Sequence, residues 1–122
     1  MREIKFRYWN GSKILNQEAI INHLNKYISK NDKHLTQFTG LLDKNGVEIY
    51  EGDIIKLYGL PNAYFQVVFK NQYIGGWVLM LKKDEVSLGA RDKNELKVVG
   101  NIYENSELLE EENKWEILNL MQ

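Results

Sequence analysis

The sequence predicts an α+β chain that is mainly β: a small antiparallel β-barrel, preceded by an N-terminal strand-and-helix part and followed by a short C-terminal helix. Three observations predict it. Short alternating runs, such as Tyr64–Lys70 and Glu95–Tyr103, recur at roughly regular spacing. Turn sequences (Asn10-Gly11, Asp43-Lys44-Asn45-Gly46, Glu51-Gly52-Asp53) separate several of these runs. Before the barrel, only residues 17–30 carry helical apolar spacing, with Ile20, Ile21, Leu24, Tyr27 and Ile28 on one stripe.

The elements follow in order. Residues 4–9 alternate, with Ile4, Phe6 and Tyr8 on one face and Lys5, Arg7 and Trp9 on the other, a strand with a basic outer face. Asn10-Gly11 turns it back into a short arm at Ser12–Leu15. Asn16 caps the helix over 17–30; Glu18 suits its N-terminal end, and Lys26 and Lys30 its C-terminal end. Leu35–Thr39 then runs into Gly40, Val47–Tyr50 follows the Asn45-Gly46 reversal, and Gly52-Asp53 launches Ile54–Tyr58. Gly59–Asn62 is a loop with Pro61 outside any ladder. Phe65, Val67 and Phe69 share a core face, and Gly75-Gly76 bends the chain before Trp77, Leu79 and Leu81. A short strand near Val86–Leu88 precedes the last one, where Leu96, Val98, Gly100 and Ile102 share a side. Asn105 caps a helix opened by Ser106–Leu109; beyond Glu110 the pattern admits either a continued helix or an alternating strand in WEILNL. One domain results, with an N-terminal part at 1–36, a turn-rich barrel segment at 37–104 and an acidic C-terminal helix or tail at 105–122.

Composition narrows the function classes. At 122 residues, 43% hydrophobic and 27% charged, the chain can bury a core of its own. With no cysteine it has no disulfide framework, thiolate nucleophile or Cys-based zinc site. No apolar stretch reaches signal-peptide or membrane-spanning length, so a cytoplasmic protein with no membrane partner is expected. Net charge is −1, but it is unevenly spread: residues 1–40 hold seven Lys/Arg against three acids, and residues 101–122 hold one Lys against six Glu. A basic part on one subunit meeting an acidic tail on another is one way to assemble a homo-oligomer.

Three pieces of this chain, MREIKFRYW, QFTGLLDKNGVEIYEGDII and VVGNIYENSELL, resemble in order and spacing the YopX family of small phage and prophage proteins. The central piece is the specific one. The departure lies at 15–33, so the helix there rests on its own periodicity; at 106 Ser stands where the family often has Pro. The resemblance implies an SH3-like barrel over the second half, encoded in a phage or prophage of a bacterial host. It carries no enzymatic activity or catalytic residue.

The residues themselves offer several candidate sites. Asp43, Glu48, Glu51 and Asp53 could form a metal or acid/base centre, but a calcium loop opening at Asp43 would need a closing Glu where Ile54 stands. Structural turns at Gly40, Asp43, Asn45, Gly46, Gly52 and Asp53 explain this stretch better. His23 and His34 lack metal-site spacing and nucleophile partners, and Gly75-Gly76 lacks the pattern of a phosphate loop. Tyr58, Tyr64, Tyr73 and Trp77 lie near Lys56, Lys70, Lys82 and Lys83, a composition suited to stacking bases while lysines follow a backbone. Against that, Trp77 and Phe65 suit the core, and a near-neutral chain lacks the general pull of nucleic-acid binders.

The expectation is therefore a non-enzymatic accessory protein without cofactor or metal that binds or assembles as a homo-oligomer, its host or phage protein partner unnamed. The alternative is a single-stranded nucleic-acid module using Lys56, Tyr58, Tyr64, Lys70, Tyr73 and Lys82.

Overall fold

Two antiparallel sheets, one of four strands and one of five, are curled against each other into a half-barrel. The computed structural model describes residues 4–30, 32–70, 76–81 and 84–110. Strands β1 (Phe6–Trp9), β2 (Ile14–Leu15), β3 (Leu35–Leu42) and β4 (Glu48–Tyr50) form the first sheet in the order β2-β1-β3-β4. Strands β5 (Asp53–Leu57), β6 (Leu60–Phe69), β7 (Trp77–Leu81), β8 (Asp84–Ser87) and β9 (Leu96–Asn101) form the second, in the order β8-β7-β6-β5-β9.

The first hairpin forms as its turn chemistry dictates: Asn10 Oδ1 accepts the Ser12 and Lys13 N–H groups at 2.8 and 2.9 Å. The face of β1 expected to look outward looks inward instead. Lys5 Nζ sits 2.7 Å from Glu48 Oε2, Arg7 binds the buried Asp53, and Trp9 stacks on Tyr103 with centroids 5.6 Å apart. Long amphipathic side chains make this workable: the Arg7 guanidinium lies 4.5 Å from the Tyr50 ring centre while its charge meets a carboxylate. Ile4, on the opposite face, is exposed.

The expected helix is present as one helical stretch in three pieces: α1 (Gln17–Ile20), a 3₁₀ turn at Ile21–His23 and α2 (Leu24–Ser29). Asn16 caps it, its Oδ1 accepting the Ala19 N–H at 3.1 Å. The central tightening falls where β-branched Ile20 and Ile21 and the polar Asn22 are poor helix formers. Tyr27 holds the stretch to the first sheet by stacking on Tyr8 at 4.3 Å.

Ile49, Ile55, Leu57, Phe65, Val67, Trp77, Leu79, Leu81, Leu88 and Leu96 form the core. Phe65 and Trp77 are both nearly inaccessible, as their alternation predicts. Phe69, expected beside them, is 47% exposed at the end of β6 and packs edge-on against Trp77. Strand β5 lies between β6 and β9 and is buried on both faces, Ile54 on one and Ile55 on the other.

Two ladder irregularities correct the sequence reading. Strand β6 begins at Leu60, directly after Tyr58-Gly59, and so takes in position 61. A register shift between Ile55 and Leu57 loosens the ladder there and accommodates a proline without an N–H. In β9, Ile54 pairs with Gly100 and Ile55 with Val98, so Val99 is an extra residue and the strand's alternation switches face. Leu96–Asn101 is thus a shorter strand than expected.

A short α3 (Glu107–Glu110) follows. The Asn105 carbonyl accepts the Leu108 N–H at 3.0 Å, while its side chain is directed backward, Oδ1 accepting the Asn101 N–H at 3.1 Å. The helix-or-strand alternative for WEILNL lies outside the described residues.

Candidate functional site

The acidic residues of the central stretch are separated by the fold into four different roles. Asp43 is almost wholly buried; Oδ1 accepts the Asn45 and Val47 N–H groups at 2.8 and 2.9 Å, and Oδ2 accepts the Val98 N–H at 2.9 Å. Burial alone would raise its pKa; the N–H groups of Val98, Val47 and Asn45 outweigh it and hold the carboxyl below its ordinary value. Asp43 therefore closes its own turn, assisted by the positive φ of Gly46, and also fastens that turn to β9. Glu48 pairs with Lys5.

Asp53 accepts the Tyr50 N–H at 2.8 Å through Oδ2 and binds Arg7 through Oδ1. It is 2% exposed, and burial pushes its carboxyl up against the opposing pull of Arg7 and the Tyr50 N–H. Gly52, at φ +88°, donates its N–H to Val67 and accepts from Ile102 through its carbonyl, joining the turn to the second sheet. Gly40 lies within β3 at φ +87°.

Glu51 differs from the other three. Its side chain is half-buried and has no hydrogen bond or ion pair among the described residues, and burial raises its pKa. It borders a cleft of about 340 Å³ between the start of β3 and the outer face of β6, together with Asp32, Lys33, Thr36, Gln66 and Tyr103. Among the described residues no three His, Asp or Glu side chains are grouped to hold a metal ion. His23 is exposed, and His34 stands edge-on between Tyr8 and Tyr103.

A second concavity, about 180 Å³, lies at the other end of β5. Lys44, Lys56, Lys97, Tyr58 and Asn94 line it with Glu95, whose carboxylate lies 3.5 Å from Arg91. Lys56 and Lys97 are cross-strand partners on β5 and β9, so their ammonium groups project from one face. Tyr58 is 86% exposed at the tip of the β5–β6 turn. Tyr64 is buried, with the Lys56 ammonium 5.0 Å from its ring centre.

Of the aromatic and basic residues singled out in the sequence, Lys56, Tyr58 and Tyr64 thus fall in one neighbourhood. Lys70 is bound to Glu85 beyond the end of β6, and Tyr73 and Lys82 lie outside the described residues. Lys44 and Lys97 were missed. Lys97 becomes a neighbour of Lys56 only through the β5–β9 pairing, which brings together residues far apart in the chain.

No curated protein sequence matches this chain. The crystal structure of protein EF1440 from Enterococcus faecalis is similar in fold, with a TM-score of 0.56 at 24% identity, covering 90% of this chain and 100% of that one. A family model described as YopX protein matches residues 3–110, a span that takes in both sheets, the central turns and both concavities. The chain belongs to the YopX family.

Proposed function

We propose that this chain is a phage- or prophage-encoded accessory protein of the bacterial cytoplasm that acts by binding and not by catalysis. In this reading its five-stranded sheet serves as an SH3-type barrel, and the lysine-lined groove engages a single strand of nucleic acid. The observation that carries it is the convergence of Lys44, Lys56 and Lys97 around an 86% exposed Tyr58. The overall charge of −1 argues against general attraction to a polyanion, and the groove answers that locally: three ammonium groups face a single carboxylate that Arg91 already engages. An aromatic ring in water beside phosphate-binding lysines is the arrangement on which bases stack.

Anisotropy of labelled single- and double-stranded probes across a salt series tests it. Three phosphate contacts on a single strand give a slope of log K against log salt of about −2. Lys56→Glu with Lys97→Glu is expected to abolish binding while the melting temperature holds. Tyr58→Ala is expected to weaken it about tenfold, the loss of one stacked base. No binding at low salt, or binding without a salt slope, removes the reading.

Self-association is the second reading, favoured by Ile21 and Ile28, seven residues apart in one helical stretch and about half exposed at 51% and 49%. The charge argument for it is weaker than the sequence suggests, because Lys5 and Arg7 are engaged within the chain. Sedimentation velocity over a wide concentration range decides: a monomer throughout, or an oligomer unchanged by Ile21→Glu with Ile28→Glu, rejects assembly through this face.

A further inference from the structure

We propose that the cleft beside Glu51 is a binding site for a small organic cation, an ammonium or guanidinium group. This site is separate from the lysine groove and independent of its reading. Its polar lining is unusual for what it leaves unbonded. The Glu51 carboxylate is half-buried without a donor among the described residues. The Gln66 side-chain amide, on the same wall, also makes no hydrogen bond among the described residues. Thr36, beneath them, is only 5% exposed, its hydroxyl sealed from solvent and without a hydrogen-bond partner among the described residues.

A half-buried carboxylate and an amide left open around one space form a receptor for a hydrogen-bond donor that enters it. The volume, about 340 Å³, lies at the lower end of small-molecule sites.

The local charge selects a cation. Asp32 and Glu51 face the single ammonium of Lys33. Asp32 is already engaged by the Tyr8 hydroxyl at 3.1 Å and the His34 N–H at 2.9 Å, which leaves Glu51 as the primary acceptor. Burial raises the Glu51 pKa, the cost of an ionised carboxylate without a partner. A bound ammonium or guanidinium relieves that cost, Gln66 orients it, and Leu35, Val68 and Ile102 supply the apolar walls.

Such a group can come from a free amine or from the lysine or arginine side chain of a protein partner, and the two are separable. Amide resonances of the labelled full chain are followed during titration with methylguanidinium, with N-methylurea as the neutral control of similar shape, and with N-acetylarginine N-methylamide as the side chain in a peptide setting. Saturable shifts at Gly52, Val68 and Ile102 with methylguanidinium, absent with N-methylurea, are expected. If the blocked arginine also binds, the site accepts a partner's side chain; if only the small ion binds, it takes a free cation.

Glu51→Gln is expected to weaken methylguanidinium about tenfold or more and to raise the melting temperature of the unliganded protein. Lys33→Ala, at an exposed position, is expected to tighten it. No saturable shift, equal shifts with N-methylurea, or a Lys33→Ala variant that binds methylguanidinium more weakly overturns the proposal.

Discussion

Asp43 looks in the sequence like one more turn aspartate, and its second oxygen makes it something else. By accepting Val98 N–H it joins residues 55 apart. Asp43→Ala leaves three backbone donors without their shared acceptor and is expected to cost about 2–4 kcal/mol, measured by chemical denaturation. The sign of its pH dependence follows from its lowered pKa. Its stabilisation is complete above the unfolded-state value of 3.8 and is lost as pH falls through the lower folded value. The gap between the parent chain and Asp43→Asn is accordingly expected to narrow only in strong acid, in melts run from pH 5 downward. Arg7 and Asp53 behave oppositely. Arg7→Met strands a buried carboxylate and is expected to cost about 3–5 kcal/mol. With the guanidinium gone, burial raises the Asp53 pKa further, so protonation relieves the defect and the variant's deficit shrinks as pH is lowered toward 3.8. Adding Asp53→Asn should recover part of the loss at neutral pH.

At the scale of the element, much was legible because the determinants are local. The Asn10-Gly11 and Asp43–Gly46 turns, the Asn16 cap and the alternation placing Phe65 and Trp77 inside all depend on residues within a few positions of one another. What the sequence concealed depends on partners far along the chain. The Val99 bulge, the inward turn of Lys5 and Arg7, and the groove formed by Lys56 with Lys97 exist only once β9 lies beside β5 and β1 lies beside β3, within side-chain reach of Glu48 and Asp53. Glu51 could not be told from its acidic neighbours by spacing, since only the fold assigns partners to the others. Gly100 shows the same dependence. A Cβ there would come within 2.4 Å of Asn105 Oδ1, the atom that accepts the Asn101 N–H. Gly100→Ala is therefore expected to destabilise by about 1–3 kcal/mol in denaturant melts, through overpacking. A Gly59→Ala control, where nothing lies within 4 Å of the new Cβ, carries only its backbone strain, about 1 kcal/mol.

Across the whole molecule, the two sheets are tied by contacts of different kinds: the Arg7–Asp53 pair, the stacking of Trp9 on Tyr103, the Gly52 bonds to Val67 and Ile102, and the Asp43–Val98 bond. Sheets joined so closely should melt together. Trp9→Ala is expected to lower the stability of the entire chain by about 1–3 kcal/mol, seen as one shifted transition by both circular dichroism and tryptophan fluorescence. Two separated transitions would mean that the sheets are independent units. The Asp43 carboxylate also has a kinetic consequence. A single side chain holds the amides of Asn45, Val47 and Val98. Their protons can then meet solvent only when that one carboxylate lets go, so native-state hydrogen exchange should report a common opening free energy for amides on a hairpin and on a distant strand. The turn between β3 and β4 is in this sense a clasp, and the hairpin cannot breathe without loosening the last strand of the neighbouring sheet.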